Sequence, residues 1–294
     1  MEVMREIQLI ELYCTVCHHY NNTLVAYAQR NSNNFCPKFS DEECMSILIW
    51  GIANQKYDVK RCHEFITDYY GDWFPELPKY EAFNKRVHFL ADAFKALASI
   101  LLGGLGVDGT HADFVYDSMP IVVAGAARSG RAKVADDICG KGYCAAKKMW
   151  YYGLKLHTIA QCNHKAMPTP ALMNISKASD HDRPIAGELL EDVHNIRLFA
   201  DMALLNDYWH TRMLVDNNVE ILTPVKRDKG QQHLSAADKL FSRAISSVKQ
   251  AIESFNNWLI EKTNIQNASK VRSTTGLLVF VFARIASACF CFNP

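Results

Sequence analysis

The chain has 294 residues, 49% of them hydrophobic and 21% charged, a balance that excludes a mainly disordered protein and leaves room for a small domain plus a larger one. Its net charge of +1 excludes a uniformly basic nucleic-acid binder, but not a basic face offset by acidic surface elsewhere. Local enrichments do occur: residues 128 to 155 carry seven Lys or Arg against Asp136 and Asp137, and Lys226, Arg227, Lys229, Lys239, Arg243 and Lys249 form a second basic group.

The N-terminal "MEVMREIQLIELY" has acidic residues and no uninterrupted apolar core, so it reads as neither a secretion signal nor a mitochondrial presequence, and a cytosolic location is expected. A first helix is predicted to about Arg30. Within it Cys14, Cys17 and His18 spell the C-x-x-C-H of haem attachment, and with His19 and Cys36 they suggest zinc. Ile10, Cys14, Cys17 and Leu24 also fall at helical spacing, so the preferred reading is small cysteines buried on a helix face. With no export signal, all ten cysteines are expected as thiols.

A loop, "NSNNFCPKFS", precedes a second predicted helix, for which Ser40 and Glu43 form a capping box. Helical text continues to about residue 106, giving an all-α N-terminal unit (1–106) whose segment "LPKYEAFNKRVHFL" offers a polar face for DNA. Gly104, Gly106 and Gly109 spell G-x-G-x-x-G, but they follow a helix and precede a strand, the reverse of dinucleotide-binding order. Gly125 and Gly130 have P-loop spacing without its Lys and Ser/Thr.

From 107 to 294 the pattern alternates. "DFVYDSMPIVVAG", "MWYYGLKLHTIAQC" and "MPTPALMNISKA" read as strands, "DRPIAGELLEDV" as a helix, and "IRLFAD" and "VEILTPV" as strands around a helix-like segment. A long amphipathic helix follows from "SAADKL" to "IEKT". The tail "GLLVFVFARIASACFCF" is broken by Arg284 and shorter than the roughly 20 residues that span a bilayer, so it reads as a buried terminal helix and no membrane is expected. The whole is an α/β class: a mixed sheet flanked by helices.

Asp117 stands inside an apolar strand, where an unpaired carboxylate costs several kcal/mol, roughly. Either a cation pairs with it, or Asp117, Ser118 and Pro120 end the strand in a turn. Asp201 closes another apolar strand 84 positions later, and Glu253 borders the apolar stripe Ile245, Val248, Ile252, Phe255 and Leu259 of the long helix. Each alone reads as a turn or a solvated face; together they form a set of hard oxygen donors.

"FVYDSMPI", "YYGLKLHTI", "ALMNISKASDHD", "RLFAD" and "VKQAIESFNNWL", in that order and spacing, resemble the DDE transposases of bacterial insertion sequences. The resemblance covers about residues 110 to 290 and implies a ribonuclease H-like catalytic domain. It further implies Asp117, Asp201 and Glu253 as the catalytic acids and metal ligands, holding Mg²⁺ or Mn²⁺, two ions about 3.5–4 Å apart. The implied activity is cleavage of double-stranded DNA at terminal inverted repeats, then attack of the freed 3′-OH on target DNA, by a homodimer or larger assembly. Phosphate-contact candidates are Lys147, Lys148, Lys226, Arg227 and Lys249, the last standing where the family usually has Arg. His157, in "GLKLHTI", matches a family histidine and reads either as a phosphate or carboxylate partner or as a core residue. The chain departs from the family at Met202, Ala203 and Leu204, where Lys-Gly-Tyr is common. A nuclease without strand transfer and an inactive transposase-derived DNA-binding protein therefore stay open beside the transposase.

Overall fold

The structure, a computed structural model, describes residues 2–29, 37–105, 112–145 and 147–292. Cys36, Gly106 and Gly109 lie outside them. In chain order the elements are α1 (Glu2–Asn22), α2 (Asp41–Ala53), α3 (Val59–Tyr70), α4 (Tyr80–Phe89), α5 (Ala91–Gly103), β1 (Asp113–Ala124), β2 (Gly140–Cys144), β3 (Met149–Gln161), β4 (Thr169–Lys177), α6 (Asp182–Leu189), β5 (Ile196–Phe199), α7 (Asp207–Asn217), β6 (Val219–Leu222), α8 (Ala236–Thr263) and α9 (Thr274–Cys291).

Two compact units emerge. One joins residues 1–102 with 259–293, the other holds 103–258, and the boundary falls inside α8. Residues 259–292, grouped by the sequence reading with the second domain, thus belong to the first unit.

In the first unit the described elements are helical. The Ser40 hydroxyl accepts from Glu43 N–H, the Glu43 carboxylate accepts from Ser40 N–H, and α2 begins there as its sequence anticipates. α2 is buried almost throughout and packs against α1, α3, α4 and α9. α9 is long and apolar enough to cross a membrane, yet most of it is buried in the protein. Its Arg284 guanidinium donates to the carbonyls of Thr263, Phe280 and Tyr57, which satisfies a buried charge without a carboxylate.

α1 departs from expectation. Its buried stripe is Leu9, Leu12 and Val16, whereas Ile10 and Cys14 are exposed and Cys17 is half-buried. Both stripes repeat at helical spacing, and only packing decides between them. Among the described residues no His, Cys, Asp or Glu cluster is arranged to hold a metal, and no disulfide joins the described cysteines.

The second unit is a mixed sheet flanked by helices. β1, β3 and β4 form an antiparallel series in the order β4-β3-β1, and β5 then β6 continue it in parallel, consistent with the expected ribonuclease H-like domain. β2, to which the sequence reading assigns no strand, pairs with the first residues of β3. Its glycines permit this: a Cβ on Gly142 would stand 2.3 Å from the carbonyl oxygen of Ala178. One face carries Phe114, Tyr116, Ile159 and Leu198 against α6 and α7. Side chains alternate along a strand, so Asp117 belongs to the other face, which α8 covers.

Candidate active site

β1 runs unbroken through Asp117, Ser118 and Pro120 to Ala124, so the turn reading of Asp117 is excluded. Pro120 is tolerated because the β1–β5 pairing ends at Val115, and beyond it β1 has an edge that asks for no N–H. Where two parallel strands stop pairing, a crevice opens at their carboxyl ends. Asp117 lies just past that point. The register pairs Asp113 with Arg197, an offset of 84, and Asp201 follows Asp117 by the same offset, so Asp117 within β1 and Asp201 just past the end of β5 stand at one level.

Lys249 of α8 reaches between them. Its Nζ is 3.6 Å from Asp117 Oδ1 and 3.8 Å from Asp201 Oδ2. One ammonium therefore serves two carboxylates. Seven residues on, Asn256 Nδ2 donates to Asp117 Oδ2 at 2.8 Å. Lys249, Glu253 and Asn256, spaced four and three apart, share one helix face.

Burial raises the Asp117 pKa to about 6, and the charges of Asp201 and Glu253 push the same way, against the pull of Lys249 and the Ser118 backbone N–H. Glu253 is exposed, and among the described residues no three such side chains converge as a ligand set. Two buried polar atoms beside Asp117 lack partners: Asn256 Oδ1, and Oγ1 of Thr158, the residue opposite Asp117 on β3. Unsatisfied atoms of this kind mark a place for water or an ion.

Asp201 is doubly engaged. Its Oδ1 accepts from Ala203 N–H at 2.9 Å and caps a short 3-10 turn over Met202–Leu204, leaving Oδ2 toward Lys249. That turn buries Leu204 and leaves Met202 exposed.

The remaining candidates separate. His157 is fully buried on the opposite face, with Nδ1 2.6 Å from the Tyr116 hydroxyl and Nε2 2.8 Å from Ser176 Oγ, which leaves no edge for a phosphate. Burial lowers its pKa to about 4, so it is a neutral core histidine. Beside it Asp182 accepts from Ser118 Oγ and Lys155 Nζ, tying α6 to β1 and β3. Lys147 and Lys148 are exposed in the turn between β2 and β3, and Lys226 and Arg227 are exposed after β6. Asp113, four residues before Asp117, makes a two-point ion pair with Arg197 at the surface.

Asn256 was missed by sequence reasoning, as was the Ser118–Asp182–Lys155 group. The only signal for Asn256 is its helical spacing from Lys249 and Glu253.

The family model for the transposase DDE domain matches residues 108–273. No curated protein matches the chain.

Proposed function

Because the chain belongs to the transposase DDE domain family, whose model covers more than half of its length, we propose that it cleaves DNA at the ends of its own element and transfers those ends into target DNA. In this reading Asp117, Asp201 and Glu253 are the acids, the unit of residues 103–258 is the catalytic region and the helical unit contributes to DNA binding. The observation that carries it is Lys249, whose ammonium stands between the carboxylates of Asp117, within β1, and Asp201, just past the end of β5.

The oxygen donors are of the hard kind that a divalent cation takes. Asp117 and Asp201 offer anionic oxygens, Glu253 lies one turn beyond Lys249, and the unpartnered Asn256 Oδ1 and Thr158 Oγ1 are positioned as acceptors for bound water. When bound, Mg²⁺ or Mn²⁺ supplies Lewis-acid activation of the attacking and leaving oxygens in an in-line displacement. Asn256 holds Asp117 in orientation by its hydrogen bond. Lys249 neutralises the acids until they are engaged, and then offers its charge to a phosphate. Lys147, Lys148, Lys226 and Arg227 supply further phosphate contacts, so binding weakens steeply with salt. Two ends must be joined, which calls for a dimer or larger assembly on DNA, and the work is done in the cytoplasm.

The test is cleavage of a duplex carrying the element end, in Mg²⁺ or Mn²⁺. Asp117→Asn, Asp201→Asn and Glu253→Gln are each expected to abolish cleavage while DNA binding is retained; unchanged cleavage in any of them removes that residue from the site. Products cut but never joined would favour a nuclease. The turn capped by Asp201 favours a second reading, a transposase-derived DNA-binding protein, because one of its oxygens is already committed. Failure to bind Mn²⁺ at millimolar concentration would select it.

A further inference from the structure

The hairpin of β2 and β3 carries an aromatic pair that the catalytic reading does not use. Tyr143 and Trp150 are directly opposite each other in the register, with ring centroids 5.2 Å apart, and the side chains are 50% and 52% exposed. Lys141 Nζ lies 5.0 Å from the Trp150 ring centroid. Lys147 and Lys148 stand exposed in the turn that joins the strands.

A cross-strand aromatic pair can act simply as a hairpin staple. Three features go beyond that. First, both residues are about half exposed, whereas Tyr151 and Gly142 on the other side of the same two strands are buried. Second, the ring pair is bordered by cations. Third, the alternation of β3 puts Trp150, Tyr152, Leu154, Leu156 and Thr158 on one face, and Thr158 is the register partner of Asp117. The aromatic pair therefore stands on the sheet face that carries Asp117, eight residues along β3 from its level, or roughly 26 Å.

Exposed aromatic rings beside lysines are the chemistry that holds unpaired nucleobases: the π-face stacks on any base and the ammonium groups meet the flanking phosphates. We propose that Tyr143 and Trp150, with Lys141, Lys147 and Lys148, form a stacking platform for unpaired bases of the DNA strand that also passes the acid pair. This inference rests on the DNA-cleaving reading for its ligand, but its test does not depend on cleavage.

Binding is measured by fluorescence anisotropy in EDTA, with a blunt duplex and with the same duplex bearing a short single-stranded segment. The native chain is expected to prefer the second by roughly tenfold, the scale of one stacked base. Trp150→Val, which keeps a strand-forming side chain, removes that preference and leaves blunt-duplex affinity within about twofold; Trp150→Phe largely retains it. 2-Aminopurine in the unpaired segment is quenched by the native chain and by Trp150→Phe, but not by Trp150→Val. No preference in the native chain, or a preference and quenching that survive in Trp150→Val, would overturn the proposal. Loss of cleavage bears only on the acid site, and loss of stacking only on the hairpin.

Discussion

Asp117 carries opposing electrostatic loads. Burial disfavours its ionised form, Lys249 favours it, and the balance leaves the pKa raised from 3.8 to about 6. A carboxyl whose pKa is raised on folding contributes stability that is complete below the unfolded value, and that contribution is lost as pH rises through the folded one. In EDTA, stability from this group should therefore fall between about pH 4 and 6 and stay low above. Asp117→Asn removes the dependence. At pH 8 the variant is expected to be more stable than the native chain by up to about 3 kcal/mol, from roughly two pKa units, with the difference vanishing below pH 4. Thermal melts across that range check it, and a native chain that is equally stable at both ends would refute the assignment. Adding Mn²⁺ should reverse the order, because only the native chain keeps both carboxylates for the ion. The places of Asp117 within one strand and of Asp201 just after another were legible in the sequence, since a carboxylate inside or ending an apolar strand is out of pattern. Asn256 was not, because a polar residue on an amphipathic helix resembles a solvated face until the strand beneath it is known. His157 matched a motif but not a location: burial between Tyr116 and Ser176 depends on β1, β3 and β4 coming together.

Elements differ in how much of their placement is written locally. The start of α2 is local, because Ser40 and Glu43 exchange hydrogen bonds across one turn. Ser40→Ala should cost that turn about 1 kcal/mol. Hydrogen exchange at the Glu43 amide, which loses its acceptor, should quicken by roughly fivefold or more, while the middle of α3 is unchanged; equal protection in native and variant chains would show the cap to be idle. β2 is the contrary case. Two glycines and a lysine in five residues carry little strand propensity, and the strand exists because Gly142 can approach the backbone of Ala178. The burial of α1 is likewise decided elsewhere. Its sequence offers two apolar stripes, and the neighbouring helices select Leu9, Leu12 and Val16 over Ile10 and Cys14.

At the scale of the whole chain, the least legible property was which segments pack together. Helical periodicity states that a face is buried and is silent about its partner. α8 reads as one continuous amphipathic helix, yet residues to Trp258 group with the sheet and those from Leu259 with the N-terminal helices. The first unit is thus assembled from both ends of the chain. α9 supplies Leu277, Val281, Phe282 and Ile285 to its interior, and the Arg284 guanidinium bonds to backbone carbonyls of both segments, Tyr57 in one and Thr263 and Phe280 in the other. A chain ending at Trp258 would leave α2 without the cover that α9 gives it, and an apolar surface of that kind costs roughly 25 cal/mol for each Å² exposed. Such a chain is expected to lose slow hydrogen exchange in α2 and to bind an apolar dye, while β1, β3 and β4 keep their protection. Retained protection throughout α2 would mean that the N-terminal helices hold together without the tail, and that α9 only adds to a core already complete.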